Sequence, residues 1–226
     1  MKFSVIIPVF NEKKTIREIL GRVKKLPFVN DIVVVDDGSV DGTKKILQNL
    51  SGQKKIKIVF HKKNQGKGSA IKTALKHIKG NYAIIQDADL EYDPSDYKKL
   101  IKPIKEGKAK VVYGSRFTGE HRNMFFWHMQ ANKFLTLITN ILFNTTLSDM
   151  ETCYKLFPVK LAKQLKLKSK KFDFEPEITA KILKRKIRIY EVPISYAGRE
   201  YREGKKIGWQ DGIHALLTLI WYRFFN

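Results

Sequence analysis

Short apolar, β-branched runs alternate with helix-periodic segments throughout the first 115 residues, and this alternation leaves few folds open. Residues 2–9, 32–35, 56–60, 82–86 and 111–114 read as strands. Between them lie helical patterns over 13–25, with Ile16, Ile19, Leu20 and Val23 on one face, from Asp41-Gly42-Thr43 to about Leu50, up to Ile78, and from Pro94 to about Lys105. Strands and helices at this spacing predict an α/β fold whose parallel sheet is covered on both faces. Ligands of such sheets bind in the crevice beyond the strands' carboxyl ends.

What stands at those ends is acid. Asp36-Asp37-Gly38-Ser39 follows one strand, and Gln86-Asp87-Ala88-Asp89-Leu90-Glu91 follows another. An extended backbone there points Asp87 and Asp89 the same way. Carboxylates so placed repel unless a cation or hydrogen-bond donors hold them, and hard oxygen ligands suit Mg²⁺ or Mn²⁺ carrying a diphosphate. The alternative is a solvated acidic turn, with Asp93 capping a helix that has Pro94 at its first position.

Composition narrows the classes. A chain of 226 residues with 43% apolar content is enough for one large domain or a domain with a small appendage, of which a single domain, 1–226, is expected, and a single cysteine, Cys153, excludes an internal disulfide framework. No secretory signal opens the chain and no run of about 18 apolar residues predicts a membrane span, so a cytosolic location is expected. The formal charge of +22 points to a polyanion: nucleic acid, an anionic membrane, or phosphate-bearing substrates. The lysines are spread over nearly every helix without a nucleic-acid-binding signature.

Beyond residue 115 the character changes. Residues 124–143 form an aromatic-rich helical pattern, 148–157 a turn and strand, 174–185 a helix, and 187–194 a strand. Residues 195–208 are glycine- and charge-rich and carry Arg199, Arg202, Lys205 and Lys206. The last helix, from about Trp209, places Ile213, Leu216, Leu217, Ile220 and Phe224 on one face. With Trp221, Phe225 and Arg223 it suits either a membrane interface or the protein's own core. The chain thus divides into 1–115, 116–208 and 209–226.

Four ordered stretches, Val5-Ile6-Ile7-Pro8-Val9-Phe10-Asn11-Glu12, Val35-Asp36-Asp37-Gly38-Ser39-Val40-Asp41-Gly42-Thr43, Asn64-Gln65-Gly66-Lys67-Gly68 and Gln86-Asp87-Ala88-Asp89, resemble the inverting family-2 glycosyltransferases of GT-A type, nucleotide-sugar-binding fold. Gly114-Ser115-Arg116, residues 148–157 and Glu191-Val192-Pro193-Ile194 are similar to the branch that includes dolichyl-phosphate mannose synthases and polyprenyl-phosphate glucosyltransferases. The resemblance implies a mostly parallel, Rossmann-like sheet and inverting transfer of a hexose from GDP-mannose or a UDP-sugar to a polyprenyl phosphate, at the cytosolic face of a membrane, with room for a membrane-protein partner. It implies that Pro8, Phe10 and Glu12 cradle the nucleoside, that Val35 and Asp37 contact the base, and that Asp87 holds the nucleotide-sugar. By the same resemblance Asp89 and Glu91 ligate a Mg²⁺ or Mn²⁺ ion, although relatives often carry an amide at the Glu91 position. Arg116 and the Arg199 loop then meet the acceptor phosphate, with His128 or Lys133 standing in for a second basic residue.

Several residues keep two readings. Lys67 sits in a glycine turn that either contacts phosphate or only opens a helix. Asp149 is a general base or a loop-organising acceptor. Lys155, Arg202 and Lys205 belong to the acceptor site or to a solvated face, and the five histidines show no metal-ligand spacing. A transferase acting on a carbohydrate hydroxyl is the alternative enzyme reading. A basic nucleic-acid-binding module is the alternative from another class, and it leaves the ordered acids unexplained.

Overall fold

The computed structural model describes residues 1–199 and 208–225, the side chain of Trp209 excepted. In chain order the elements are β1 (Phe3–Val9), α1 (Ile16–Lys24), β2 (Val29–Asp36), α2 (Thr43–Asn49), β3 (Ile56–Phe60), α3 (Lys67–Leu75), β4 (Tyr82–Ile85), α4 (Tyr97–Lys105), β5 (Val111–Ser115), α5 (Phe126–Phe143), β6 (Lys155–Pro158), α6 (Val159–Gln164), α7 (Phe174–Lys184), β7 (Ile189–Pro193) and α8 (Trp209–Phe224). All seven residues of β1 are buried, as expected of a strand covered on both faces. In α1 the buried residues are Ile16, Ile19, Leu20 and Val23, the face read from the sequence. Pro94–Asp96 is a separate 3₁₀ turn before α4, entered through Asp93, whose side chain accepts from the Ser95 N–H at 2.9 Å.

One seven-stranded sheet runs β3-β2-β1-β4-β6-β5-β7. It is parallel except at β6, which lies antiparallel to both β4 and β5. That reversal has a consequence for the crevice. Because Ile84 pairs with Leu156 and Tyr82 with Pro158, β6 begins where β4 ends, so the loop 148–154 opens beside the acids that follow β4. Strands from both halves of the sequence therefore share one sheet.

A second, smaller core joins α5, α7 and α8 through Leu135, Met150, Ala180, Ala215, Leu219 and Tyr222. The face of α8 picked out by the sequence is not the one that packs into this core. The core-facing stripe of α8 is Ala215, Leu219 and Tyr222, whereas Ile213, Leu217, Ile220 and Phe224 are exposed and Leu216 is only partly buried. The helix is apolar on two sides, so an apolar periodicity alone did not identify the packed one.

Candidate active site

The loops after β1, β2 and β3 are stitched together by short polar side chains. Asn11, in the left-handed region at φ 55°, accepts the Val40 N–H through its side chain and donates its own N–H to Ser39 Oγ. Asp37 is saturated: it accepts from the Gln65 N–H at 3.0 Å and the Gly66 N–H at 2.7 Å, and lies 2.6 Å from His61 Nδ1. His61 Nε2 in turn meets Thr73 Oγ1 at 2.9 Å. Gly66 has φ +94°, and a Cβ there would run into the Lys170 carbonyl, so the turn must be glycine. His61 gave no sequence signal because its role depends on the end of β2, 24 residues away.

Beyond β4 the arrangement differs. Asp87 pairs with Lys67 Nζ at 2.9 Å, and the same ammonium lies 2.9 Å from Glu175 on α7. Lys67 is thereby tied to carboxylates on both sides. The backbone does not stay extended as expected; it turns at Ala88-Asp89, and Leu90 adopts φ 67°. Asp87 and Asp89 consequently take different partners. Asp89 lies 3.0 Å from Arg199 and accepts the Glu91 N–H at 3.1 Å. Burial, followed by the charges of Asp87 and Glu91, pushes its carboxyl up to about 7, against the pull of Arg199.

Arg199 draws the acids of two loops together. Its guanidinium lies 3.0 Å from Glu12 and 3.7 Å from Glu91, and its N–H donates to Glu91 at 2.9 Å. Tyr196 adds an O–H bond to Glu91 at 2.8 Å, a partner the sequence did not announce. Arg199, which the resemblance places at the acceptor phosphate, pairs in this structure with the acidic cluster. Among the described residues no group of three His, Cys, Asp or Glu side chains is gathered about one metal position. The donor chemistry of Asp89 and Glu91 nonetheless fits a hard divalent cation, since buried like charges of this kind favour a bound cation.

On the far side of the crevice Arg116 and Asp149 form a two-pronged pair, Nε and Nη2 each 2.7 Å from a carboxylate oxygen, and the Arg116 N–H adds a third bond at 3.0 Å. Asp149 has no exposed surface. Both of its oxygens accept from Arg116, by charge-assisted bonds that fix the guanidinium in place. The guanidinium stacks on Tyr196 and Phe117, and Lys133 reaches the same Phe117 ring at 5.8 Å, whereas His128 packs edge-on against Phe125. Lys133 is therefore the basic side chain of α5 that shares Arg116's surroundings. Arg202 and Lys205 lie outside the described residues.

Pro8 and Val35 are paired neighbours in β1 and β2, and Val35 is fully buried, so only its backbone can face a base. Phe10 and Glu12 follow directly at the crevice edge, with Glu12 7% exposed. Lys155 is not on a solvated face. It is fully buried, donates to the Met150 and Thr152 carbonyls at 2.7 and 2.6 Å, and lies 4.1 Å from the centre of the Tyr113 ring.

Comparison with known proteins bears on this constellation. The uncharacterised protein MJ1222 of Methanocaldococcus jannaschii is 31% identical over 98% of this chain and 92% of its own length. A UDP-N-acetylglucosamine–dolichyl-phosphate N-acetylglucosaminyltransferase of Methanococcus voltae is 30% identical over 87% of this chain and 86% of its own. A dolichol-phosphate mannosyltransferase of Pyrococcus furiosus is 35% identical over 62% of this chain, but only 41% of that protein is covered. Among solved structures, glucosyl-3-phosphoglycerate synthase of Mycobacterium tuberculosis, in complex with Mn²⁺, UDP and phosphoglyceric acid, superposes on the whole chain and 79% of its own with a TM-score of 0.74 at 18% identity, a likeness of fold. The sequence profile of Glycosyl transferase family 2 matches residues 4–166, and with that match and these relatives the chain belongs to that family.

Proposed function

We propose that the protein transfers a hexose from a nucleotide-sugar to a polyprenyl phosphate with inversion, at the cytosolic surface of a membrane. The observation that carries this reading is the division of charge in the crevice: partly buried acids beyond β4 on one side, and the Arg116 guanidinium with Lys133 nearby on the other. The two relatives named for dolichyl-phosphate chemistry support the acceptor class.

In this reading Asp89 and Glu91 hold Mg²⁺ or Mn²⁺, which when bound acts as Lewis acid and template for the leaving diphosphate. The chain's own residues do the rest. Glu12, Phe10 and the backbone beside Pro8 and Val35 receive the nucleoside, and Asp37 fixes the loop that presents Lys67. Arg199, which spans Glu12, Asp89 and Glu91, places a guanidinium at the crevice within reach of anionic oxygens of a bound substrate. Arg116, held in place by Asp149, draws in the acceptor phosphate. A phosphate monoester has a second pKa of about 6 and is mostly dianionic at neutral pH, so it attacks without a base. The burial of Asp149 under Arg116 favours this acceptor over a hydroxyl, which needs its proton removed.

The exposed faces of α5 and α8, with Trp127, Ile141, Leu217, Trp221 and Phe224, give an apolar surface next to cationic side chains such as Arg223. We assign it to the lipid–water interface that carries the acceptor. No helix among the described residues is long and apolar enough to cross a membrane. The decisive test offers radiolabelled GDP-mannose, UDP-glucose and UDP-N-acetylglucosamine with a short polyprenyl phosphate and Mn²⁺. Label moving into the organic phase is expected; transfer only to free sugars would overturn the acceptor assignment.

A further inference from the structure

Below the crevice, between the donor and acceptor sides, lies a polar network in which Glu151, Glu175 and Cys153 have no task in the reaction described above. The loop 148–154 carries Asp149, held by Arg116, and reaches the buried Cys153, whose thiol is pushed up by burial and by the charge of Asp87. Glu151 stands midway. Its carboxyl feels the charges of Glu175, Lys155, Arg116 and Asp149. Glu175, only 3% exposed, reaches in from the first turn of α7 and spends one oxygen on Lys67.

Two oxygens in this network have no hydrogen-bond partner although solvent does not reach them: Glu151 Oε1 and Glu175 Oε2. A buried polar atom without a partner costs about 1–3 kcal/mol, more when charged, and folded proteins keep few of them. A purely structural loop has an inexpensive remedy, since an apolar side chain at 151 would remove the penalty. The charges around it point the same way. Lys67, Lys155 and Arg116 face Asp87, Glu175 and Asp149, three cations against three carboxylates, and Glu151 is left over. Burial, then the charge of Glu175, pushes its carboxyl up to about 8, so at neutral pH it carries a proton beside the glutamate that pairs with Lys67. A carboxylic acid next to a carboxylate is a donor next to an acceptor, the complement of one alcohol group.

We propose that Glu151 and Glu175 together bind a hydroxyl of the sugar being transferred, and that Glu151 thereby sets which hexose the protein accepts from its nucleotide-sugar donor. The position suits the task. A sugar passing between a diphosphate near Asp87 and Lys67 and a phosphate near Arg116 must lie over the loop that joins them. The inference rests on the glycosyl-transfer reading, and it adds to it a residue that selects the sugar rather than the nucleotide or the acceptor.

The test compares wild type with Glu151→Gln and Glu151→Ala. Each protein is given UDP-glucose, UDP-galactose, UDP-N-acetylglucosamine and GDP-mannose with a short polyprenyl phosphate, and kcat/KM is measured for the preferred sugar and the runner-up sharing its nucleotide, or the nearest alternative. Glu151→Ala is expected to shrink that ratio by about 10- to 100-fold, the range for loss of a hydrogen bond to a buried, unpaired group. Gln, which still bonds through an amide, should keep part of the discrimination. UDP or GDP affinity should stay within about twofold, and both variants should melt at or above the wild-type temperature, because an unsatisfied carboxyl has been removed. An unchanged ratio in both variants overturns the inference while leaving the parent reading intact. A joint fall in melting temperature and nucleotide affinity overturns it as well, by making Glu151 structural. If wild type moves none of the four sugars, the parent reading falls and takes this one with it.

Discussion

Two strands of this sheet end in acid, and the two ends have opposite chemistry. After β2, Asp37 meets two backbone N–H groups and the His61 ring, every lobe of its carboxylate engaged. After β4, Asp89 has one N–H and the shared attention of Arg199, while Asp87 and Glu91 press like charge upon it. In sequence the two look alike, an apolar run followed by Asp-x-Asp or Asp-Asp. The difference lies in what packs opposite. A carboxylate surrounded by local donors organises a loop and contributes stability; one left short of donors beside its own kind is held ready for a cation.

The largest expected effect falls on the under-satisfied acid. Asp89→Ala should lower metal-dependent turnover by about 10³-fold, the range for removing a major electrostatic stabiliser of a leaving group. Its melting temperature should not fall, because like-charge repulsion with Asp87 and Glu91 is relieved. Near-normal turnover with an unchanged Mg²⁺ or Mn²⁺ requirement would show that the metal sits elsewhere.

Asp37 should show the mirror image. Asp37→Ala leaves two backbone N–H groups and the Nδ1 side of the His61 ring without their partner, so a loss of about 3 kcal/mol in denaturant unfolding is expected, spread over the loop 61–66. Nucleotide affinity should fall with it, since the same loop presents Lys67. If Asp37→Ala unfolds like wild type while Asp89→Ala is destabilised, the contrast between the two ends is inverted and the argument above fails.

The comparison also marks how far the sequence could be read. The alternation of runs located the strands of the first half, because a strand buried on both faces is a continuous apolar string, as Val5–Val9 of β1 and Ile32–Val35 of β2 are. The acids were found for the same reason: charge directly after such a run stands out. Partners brought in from distant sequence were not. His61 on Asp37, Tyr196 on Glu91 and Glu175 on Lys67 come from 24 to 108 residues away and carry ordinary local patterns; Glu175 reads as a dipole-favoured acid in a helix's first turn. Lys155 stays between an acceptor-site and a solvated-face reading in sequence because nothing local distinguishes a lysine that bonds two carbonyls in the core. The reversed strand β6 was invisible too, since its four residues look the same in either direction.

Asp149 extends the contrast to a third acid. It resembles Asp37 in being saturated, but by a single arginine. Asp149→Asn keeps the shape and loses the charge that holds a buried guanidinium, so Arg116 should be less firmly placed. We expect the acceptor KM to rise by about tenfold, a change worth about 1.4 kcal/mol, with nucleotide affinity unchanged. Arg116→Ala should give a larger rise in the same parameter. Complete inactivity of Asp149→Asn with Arg116→Ala close to normal would instead identify Asp149 as a base and the acceptor as a hydroxyl.

The smallest effect is the most diagnostic, because it reads Asp89 without any substrate. Its carboxyl in the fold sits at about 7, against 3.8 for an ordinary aspartate, so between those limits the folded protein holds a proton that the unfolded chain has released. Stability falls with rising pH wherever the native state binds more protons, and the contribution of Asp89 is therefore full at low pH and lost as pH rises through about 7. Other groups titrate as well; Asp41 and Glu177, both lowered by hydrogen bonds, act in the opposite direction at lower pH. The difference between wild type and Asp89→Asn isolates the one carboxyl. In metal-free buffer the stability of wild type relative to Asp89→Asn should decline between pH 5 and pH 8 by roughly 1 kcal/mol, less than the shift alone implies because Asp87, Glu91 and Arg199 share the titration. Millimolar Mg²⁺ should restore wild type at pH 8 and leave Asp89→Asn unmoved. A difference that is flat across this range would mean that Arg199 already satisfies Asp89 as fully as the backbone satisfies Asp37, and the two strand ends would no longer be distinct in kind.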